Sequence, residues 1–175
     1  AMRLTMTLLI KDEVDIIADN IRVHAHLGVD NFVVMDNGST DGTRELLDAL
    51  AKEHEIIIID RPVLDYQQSN WKTEMARVAR KNLGAQWVIT NDADEFWIPK
   101  VGDLKQELTS TGSIITCPRA NVLFDRYAFD HGGKYYEQCN RVQAPIDYQK
   151  GIQQEQEQLS IMLGRIHGKV MVRTL

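Results

Sequence analysis

The chain has 175 residues, 43% of them hydrophobic and 26% charged, with a formal net charge of −5, which implies one folded domain with a sizeable core and excludes a low-complexity chain. An acidic balance without any run of lysine or arginine argues against nucleic acid as a partner. The apolar runs are only a few residues long, far short of the roughly 20 needed to cross a bilayer, so no membrane span is expected.

"RLTMTLLI" (3–10) reads as an apolar strand and "KDE" as the turn after it. Val14, Ile17, Ala18, Ile21 and Ala25 then recur at helical spacing, with Asp15, Asp19 and Arg22 opposite. "NFVVMD" is the next strand and "TDGTRELLDALAKE" the next helix, with Thr40 or Asp41 as N-cap and Leu46, Leu47 and Leu50 on the buried face. "EIIIID" is expected as a fully buried strand, followed by the polar loop "RPVLDYQQS". A helix with Trp71, Met75, Val78, Ala79 and Leu83 on one side and the strand "QWVIT" complete a βαβαβαβ order over residues 1–100. That order predicts an α/β fold, a mainly parallel sheet with helices on both faces.

Ligands of such sheets bind beyond the carboxyl ends of the strands. The segments found there are "KDE", "DNGSTDG", "DRPVLDYQQ" and "NDADEF", so acidic residues recur along one rim. Residues 1–100 carry 11 basic and 17 acidic side chains.

Past residue 100, "VGDLKQEL" reads as a short helix and "SIITC" as a strand stopped by Pro118. "ANVLFDRYAFDHGGKYY" and "NRVQAPIDY" read as hairpins or loops, "QKGIQQEQEQ" as a loop or exposed helix start, and "KVMVRTL" as a strand. Cys117 and Cys139 have neither metal-type spacing nor a disulfide framework, which fits a reducing, cytoplasmic setting. Ala1 ahead of Met2 reads as a cloning remnant, and a strand ending at Leu175 as a chain cut from a longer protein.

"WVITNDADEF" carries the most chemical information. If the extended conformation persists past the strand, Asp92 and Asp94 project to one side. Two carboxylates about 5 Å apart repel by roughly 3 kcal/mol at an effective dielectric near 20, and a cation relieves this. All-oxygen ligands favour magnesium, manganese or calcium over zinc. An isolated Asp-x-Asp reads more simply as a strand-end turn with solvated acids.

The first strand ending in "KDE", "DNGSTDGT" after the second and "NDADEF" after the fourth together resemble the family 2-like glycosyltransferases with the GT-A fold. The resemblance covers roughly residues 1–100, and its "NDADEF" wording is similar to a subgroup acting on polysaccharides or glycoconjugates. It implies a nucleotide-sugar-binding half at residues 1–100 and an acceptor-side half at residues 101–175, cut short at its C-terminus. By the same resemblance, Glu13, with Lys11 nearby, and Asp36 approach the base and ribose of a uridine-type nucleotide. Asp92 reaches the ribose or a Mn2+ or Mg2+ ion, and Asp94 binds that metal. Asn37 stands where many relatives have a second aspartate. Gly38 permits the sharp turn, and Ser39, Thr40 and Asp41 read as capping residues.

Other positions keep two readings. Lys72, Arg77 and Arg80 either meet the diphosphate or form a solvated helix face. His167 in "RIHGKV" either completes the metal shell, with Lys169 beside a phosphate, or is a structural histidine. Trp97 is a candidate for stacking on sugar or base, whereas Trp71 and Trp87 read as core, and His24, His26 and His54 as structural.

The implied reaction is a metal-dependent, inverting transfer of a sugar from a nucleotide diphosphate to a glycan or glycoconjugate acceptor. The base that takes the acceptor proton is sought among Asp125, Asp130, His131, Glu137 and Asp147, because no Glu-Asp doublet follows residue 100. The alternative is a nucleotide-sugar-binding module without turnover, or an incomplete fragment of a larger enzyme. A phosphatase would carry its Asp-x-Asp after the first strand, and a nucleotidyltransferase a glycine-rich basic loop there. The sequon Asn37-Gly38-Ser39 falls in the proposed nucleotide loop, where a glycan would block binding, again in keeping with the cytoplasm.

Overall fold

A computed structural model describes residues 2–64, 67–108, 112–124, 139–143 and 166–174. The chain divides into two units, residues 1–115 with 170–175, and residues 116–169.

In the first unit, β1 (Leu4–Ile10), α1 (Ile17–His26), β2 (Asn31–Asp36), α2 (Thr43–Leu50), β3 (Ile56–Asp60), α3 (Gln68–Leu83) and β4 (Trp87–Asn91) alternate as the hydrophobic pattern predicts. A 3-10 turn (Leu104–Glu107), β5 (Ile114–Cys117) and, at the end of the chain, β8 (Lys169–Arg173) follow. The sheet order is β3-β2-β1-β4-β8-β5. β1 pairs in parallel with β2 and β4, and β2 in parallel with β3, while β8 runs antiparallel to β4. In the second unit, β6 (Val122–Phe124) and β7 (Cys139–Arg141) form an antiparallel pair.

Side-chain alternation divides the core between the two faces of the sheet. Trp71, Met75, Ala79 and Leu83, spaced by three or four along α3, cover Val33, Met35 and Val88, with Leu9, Ile57 and Ile59 packed against them. This leaves the opposite face, with Leu4, Met6, Leu8, Phe32, Val34 and Trp87 all buried, to α1 and α2, which touch each other. The crossovers thus lie on different faces, and the chain reverses direction across the sheet at β1. At that switch point the loops after β1 and β4 part, opening a crevice at their carboxyl ends.

Four expectations need correction. Val14 is exposed, and α1 buries Ile17, Asn20, Ile21 and His24, so two polar residues occupy the stripe that the sequence assigned to alanines and valine. The isoleucines of β3 are half-exposed because the strand lies at the edge of the sheet, where only one neighbour shields it. The N-cap of α2 is Gly42 at φ 97°, not Thr40 or Asp41. That left-handed conformation favours glycine, and the carboxylate of Asp41 accepts the Thr43 amide one residue further on. Finally, β4 ends at Asn91 and the chain turns at once, Glu95 N donating to Asp92 O at 3.1 Å; the alternation expected to align Asp92 and Asp94 does not continue.

Met75 is wholly buried at the centre of the α3 layer. Met75→Ala is expected to lower stability by about 2–5 kcal/mol through lost burial and the cavity left behind, read as a shift of the urea midpoint at unchanged slope.

Candidate active site

The crevice is a cleft of about 260 Å3 lined by Leu9, Ile10, Lys11, Glu13, Asn37, Gln68, Asp92, Ala93 and Asp94. Each strand end at the switch point contributes: β1 leads into Lys11 and Glu13, β2 into Asn37, and β4 into the aspartates. Five of the residues singled out from the sequence meet here, namely Lys11, Glu13, Asn37, Asp92 and Asp94. Asp36 is not among the lining residues. It is 4% exposed, and its carboxylate accepts both the amide and the hydroxyl of Ser39. Lys72 is half-buried on α3 and does not line the cleft; Gln68, one turn nearer the helix start, does.

The loops after β1 and β2 are fastened together. Asp12 N donates to Ser39 Oγ at 2.9 Å, and Thr40 N to Asp12 Oδ1 at 2.7 Å. Glu13 N donates to Thr43 Oγ1, whose hydroxyl donates in turn to Asp41 Oδ1, and Val14 N donates to Asp41 Oδ2. Ser39, Thr40 and Asp41, read from sequence as helix-capping residues, therefore bind across to the neighbouring loop. Asp12 holds φ 54°, the one non-glycine positive φ among the described residues. This left-handed conformation is uncommon outside glycine, asparagine and aspartate, and it occurs between the two cleft-lining residues Lys11 and Glu13.

Asn37 explains its own departure from aspartate. Its Nδ2 donates to Arg61 O at 2.7 Å and to Val63 O at 3.1 Å, tying the loop after β3 to the rim. A carboxylate has no proton to give and would face two carbonyl oxygens.

The turn carrying Asp92 and Asp94 rests on a buried polar cluster. Asn20 Nδ2 donates to Ala93 O at 2.8 Å and to Glu95 O at 2.9 Å. Asn91 Nδ2 also donates to Glu95 O, at 2.9 Å, and Trp97 Nε1 donates to Asn91 Oδ1 at 3.0 Å. Trp97 N donates to His24 Nε2 at 2.9 Å, so the proton of the neutral ring sits on Nδ1, which lies 2.8 Å from Asn20 O. His24 is structural, as the sequence reading has it. Trp97 is 8% exposed, an internal member of this cluster and not a free stacking surface.

Electrostatics link the two sides of the cleft. The Glu13 carboxyl is pushed up from its ordinary range by burial first, and then by the negative charge of Asp94 and its other acidic neighbours. Asp92 is half-buried and Asp94 exposed. Among the described residues no group of three or more acidic, histidine or cysteine side chains is placed to enclose a metal. The donor set is two carboxylates on one turn with a third nearby, all oxygen. It fits a hard divalent cation that keeps several ligand positions for phosphate and water, as magnesium does, and not a closed protein cage. His167 lies in the second unit, exposed, its carbonyl accepting Arg119 Nε at 2.5 Å. Asp125, Asp130, His131, Glu137 and Asp147 lie outside the described residues.

Sequence reasoning missed Gln68, Asn20 and Asn91. In a βαβ crossover the helix after a strand starts at the rim where that strand ends, so the first residue of α3 was a legible candidate. Asn20 was signalled by its spacing, three residues after Ile17 on the buried stripe.

Two outcomes test this anatomy. Asn37→Asp is expected to cost about 2–4 kcal/mol, since two hydrogen bonds are lost and a charge is left against carbonyls, and to loosen residues 61–63 in amide exchange. Burial lowers the pKa of His24 to about 4, against about 6.5 unfolded. The unfolded chain therefore takes up the proton first, and this contribution to stability, complete above pH 6.5, falls by about 1.4 kcal/mol per pH unit towards pH 4. His24→Gln is expected to remove that part of the slope in denaturation midpoints measured across this window.

The sequence matches the family model described as Glycosyl transferase family 2 over residues 11–168. Among solved structures, S. aureus TarS 1–349 is similar at 17% identity and a TM-score of 0.43, covering 54% of this chain and 28% of that one. A second structure of S. aureus TarS is similar at 15% identity and a TM-score of 0.46, covering 61% of this chain and 18% of that one. This chain thus spans less than a third of either. No curated protein matches it at a significant level. With the family match extending over residues 11–168 of 175, the chain belongs to glycosyl transferase family 2, and its α/β architecture is the GT-A fold.

Proposed function

We propose that the cleft binds the diphosphate of a nucleotide sugar, and that the chain supplies the donor half of a glycosyltransferase acting on a glycan or glycoconjugate acceptor. The observation that carries this reading is the convergence of Lys11, Glu13, Asp92 and Asp94 on one cleft at the switch point, together with the family match. The exposed Lys11 offers a cation to a phosphate oxygen. Glu13 and Asn37 form the side of the cleft assigned to the base and ribose of a uridine-type nucleotide, and Asp36 contributes there by holding Ser39 in place. Asp92 and Asp94 would hold Mn2+ or Mg2+, which when bound offsets the charge developing on a departing diphosphate.

Transfer by this route is a single inverting displacement. The acceptor oxygen bonds to the anomeric carbon as the bond from that carbon to the diphosphate breaks. The acceptor proton passes to a base, for which Asp125, Asp130, His131, Glu137 and Asp147 remain the candidates. A cytoplasmic setting suits this proposal, because a glycan on the Nδ2 of Asn37 would replace one of the two protons that it gives to Arg61 and Val63. Among the described residues no helix is long and apolar enough to cross a membrane.

Asp94→Ala is expected to abolish the manganese-dependent part of uridine diphosphate binding in calorimetry, a loss of tenfold or more. Its melting temperature should stay within about two degrees, since exposed side chains away from special features contribute within ±0.5 kcal/mol. Affinity equal to that of the unaltered chain would remove Asp94 from the site. Binding without sugar release in the presence of acceptors would identify a binding module instead of a transferase.

A further inference from the structure

Asn20 occupies a position that packing alone does not call for. It is completely buried on the face of α1 that also carries Ile17, Ile21 and His24, where a leucine would bury more apolar surface. One amide group donates to the carbonyls of Ala93 and Glu95, the residues immediately before and after Asp94. The same turn is closed by Glu95 N to Asp92 O at 3.1 Å, and Asn91 adds a second donor to Glu95 O. His24 receives Trp97 N and lies against the Asn20 carbonyl, which steadies both α1 and the segment after the turn. Removing the Asn20 amide would leave the Ala93 carbonyl without this donor and free the peptide units on either side of Asp94 to rotate. Glu95 O would still be held by Asn91.

We infer that Asn20 is a positioning residue: by gripping the backbone on both sides of Asp94 it sets the direction of that carboxylate into the cleft and so the affinity for a cation-bound diphosphate. The inference rests on the donor-binding reading of the cleft given above. Asn20 touches neither cation nor nucleotide; it acts through Asp94.

The test compares uridine diphosphate binding with and without manganese, by calorimetry well below the melting temperature, in the full chain and in Asn20→Ala. The expected result is a metal-dependent gain reduced at least tenfold, with metal-free affinity unchanged within twofold. A merely structural role would instead lower metal-free and metal-dependent binding together. Asn20→Ser, which keeps a buried hydroxyl but cannot span both carbonyls, serves if the alanine variant fails to fold and should lose the gain likewise. Retention of the full gain in a folded Asn20 variant, or an equal loss of metal-free and metal-dependent binding, overturns this inference and leaves the donor-site reading intact. Absence of any manganese-dependent gain in the unaltered chain overturns both.

Discussion

The reversal of chain direction at β1 is the constraint on which the rest of this molecule depends. Because the chain after β3 crosses to the far side of β1 and enters the sheet as β4, no crossover covers the ends of β1 and β4 from above. Among the described residues, those with polar side chains that line the gap are a lysine and a glutamate from one strand end, two aspartates from the other, an asparagine from β2 and a glutamine from the start of α3. The helices close the two faces, and α1 and α3 each send polar groups towards the rim.

A gap of this kind is useful only if its walls are rigid, since productive placement of charged groups tolerates errors of only about half an ångström. Each wall has its own fastening. The β1 and β2 loops are joined through Asp12, Ser39, Thr40, Asp41 and Thr43; the β3 loop is held by Asn37; the β4 turn is held from beneath by Asn20 and Asn91. Most of the hydroxyls and amides in "DNGSTDGT" therefore serve the protein backbone. The acidic side chains that line the cleft are few, and the raised pKa of Glu13 records first its own burial and then the negative charge of Asp94 and its other acidic neighbours.

How much of this was legible follows from which interactions are local. The stripe of α3 was read correctly because Trp71, Met75, Ala79 and Leu83 follow the helical period within one segment. The order of motifs along the rim was readable for the same reason, since every strand end is marked by its own turn residues. The edge position of β3 was hidden, because strand order is set by pairings between distant segments and four isoleucines look alike in a central or a lateral strand. The place of Asn20 on the buried stripe was signalled by its spacing, but its role, like that of Asn91, was hidden: a buried asparagine makes sense only once its partner is known, and the carbonyls that the Asn20 amide bonds are more than seventy residues away. The loop conformation at Asp92 and Asp94 was misjudged because the sequence shows where a strand can end but not that a buried amide bends the chain there.

The lateral place of β3 also bears on how this protein behaves at high concentration. Ile56–Ile59 is a short, uncharged, proline-free segment of strong β preference with one side of its backbone unpaired by any strand of the sheet, the composition that templates intermolecular strand addition. Glu55 and Asp60 bracket it, each paired with an arginine, Arg3 and Arg44 respectively. Charges that flank such a segment oppose the addition of a second copy at the same strand, and here each is held at its end of β3 by an arginine.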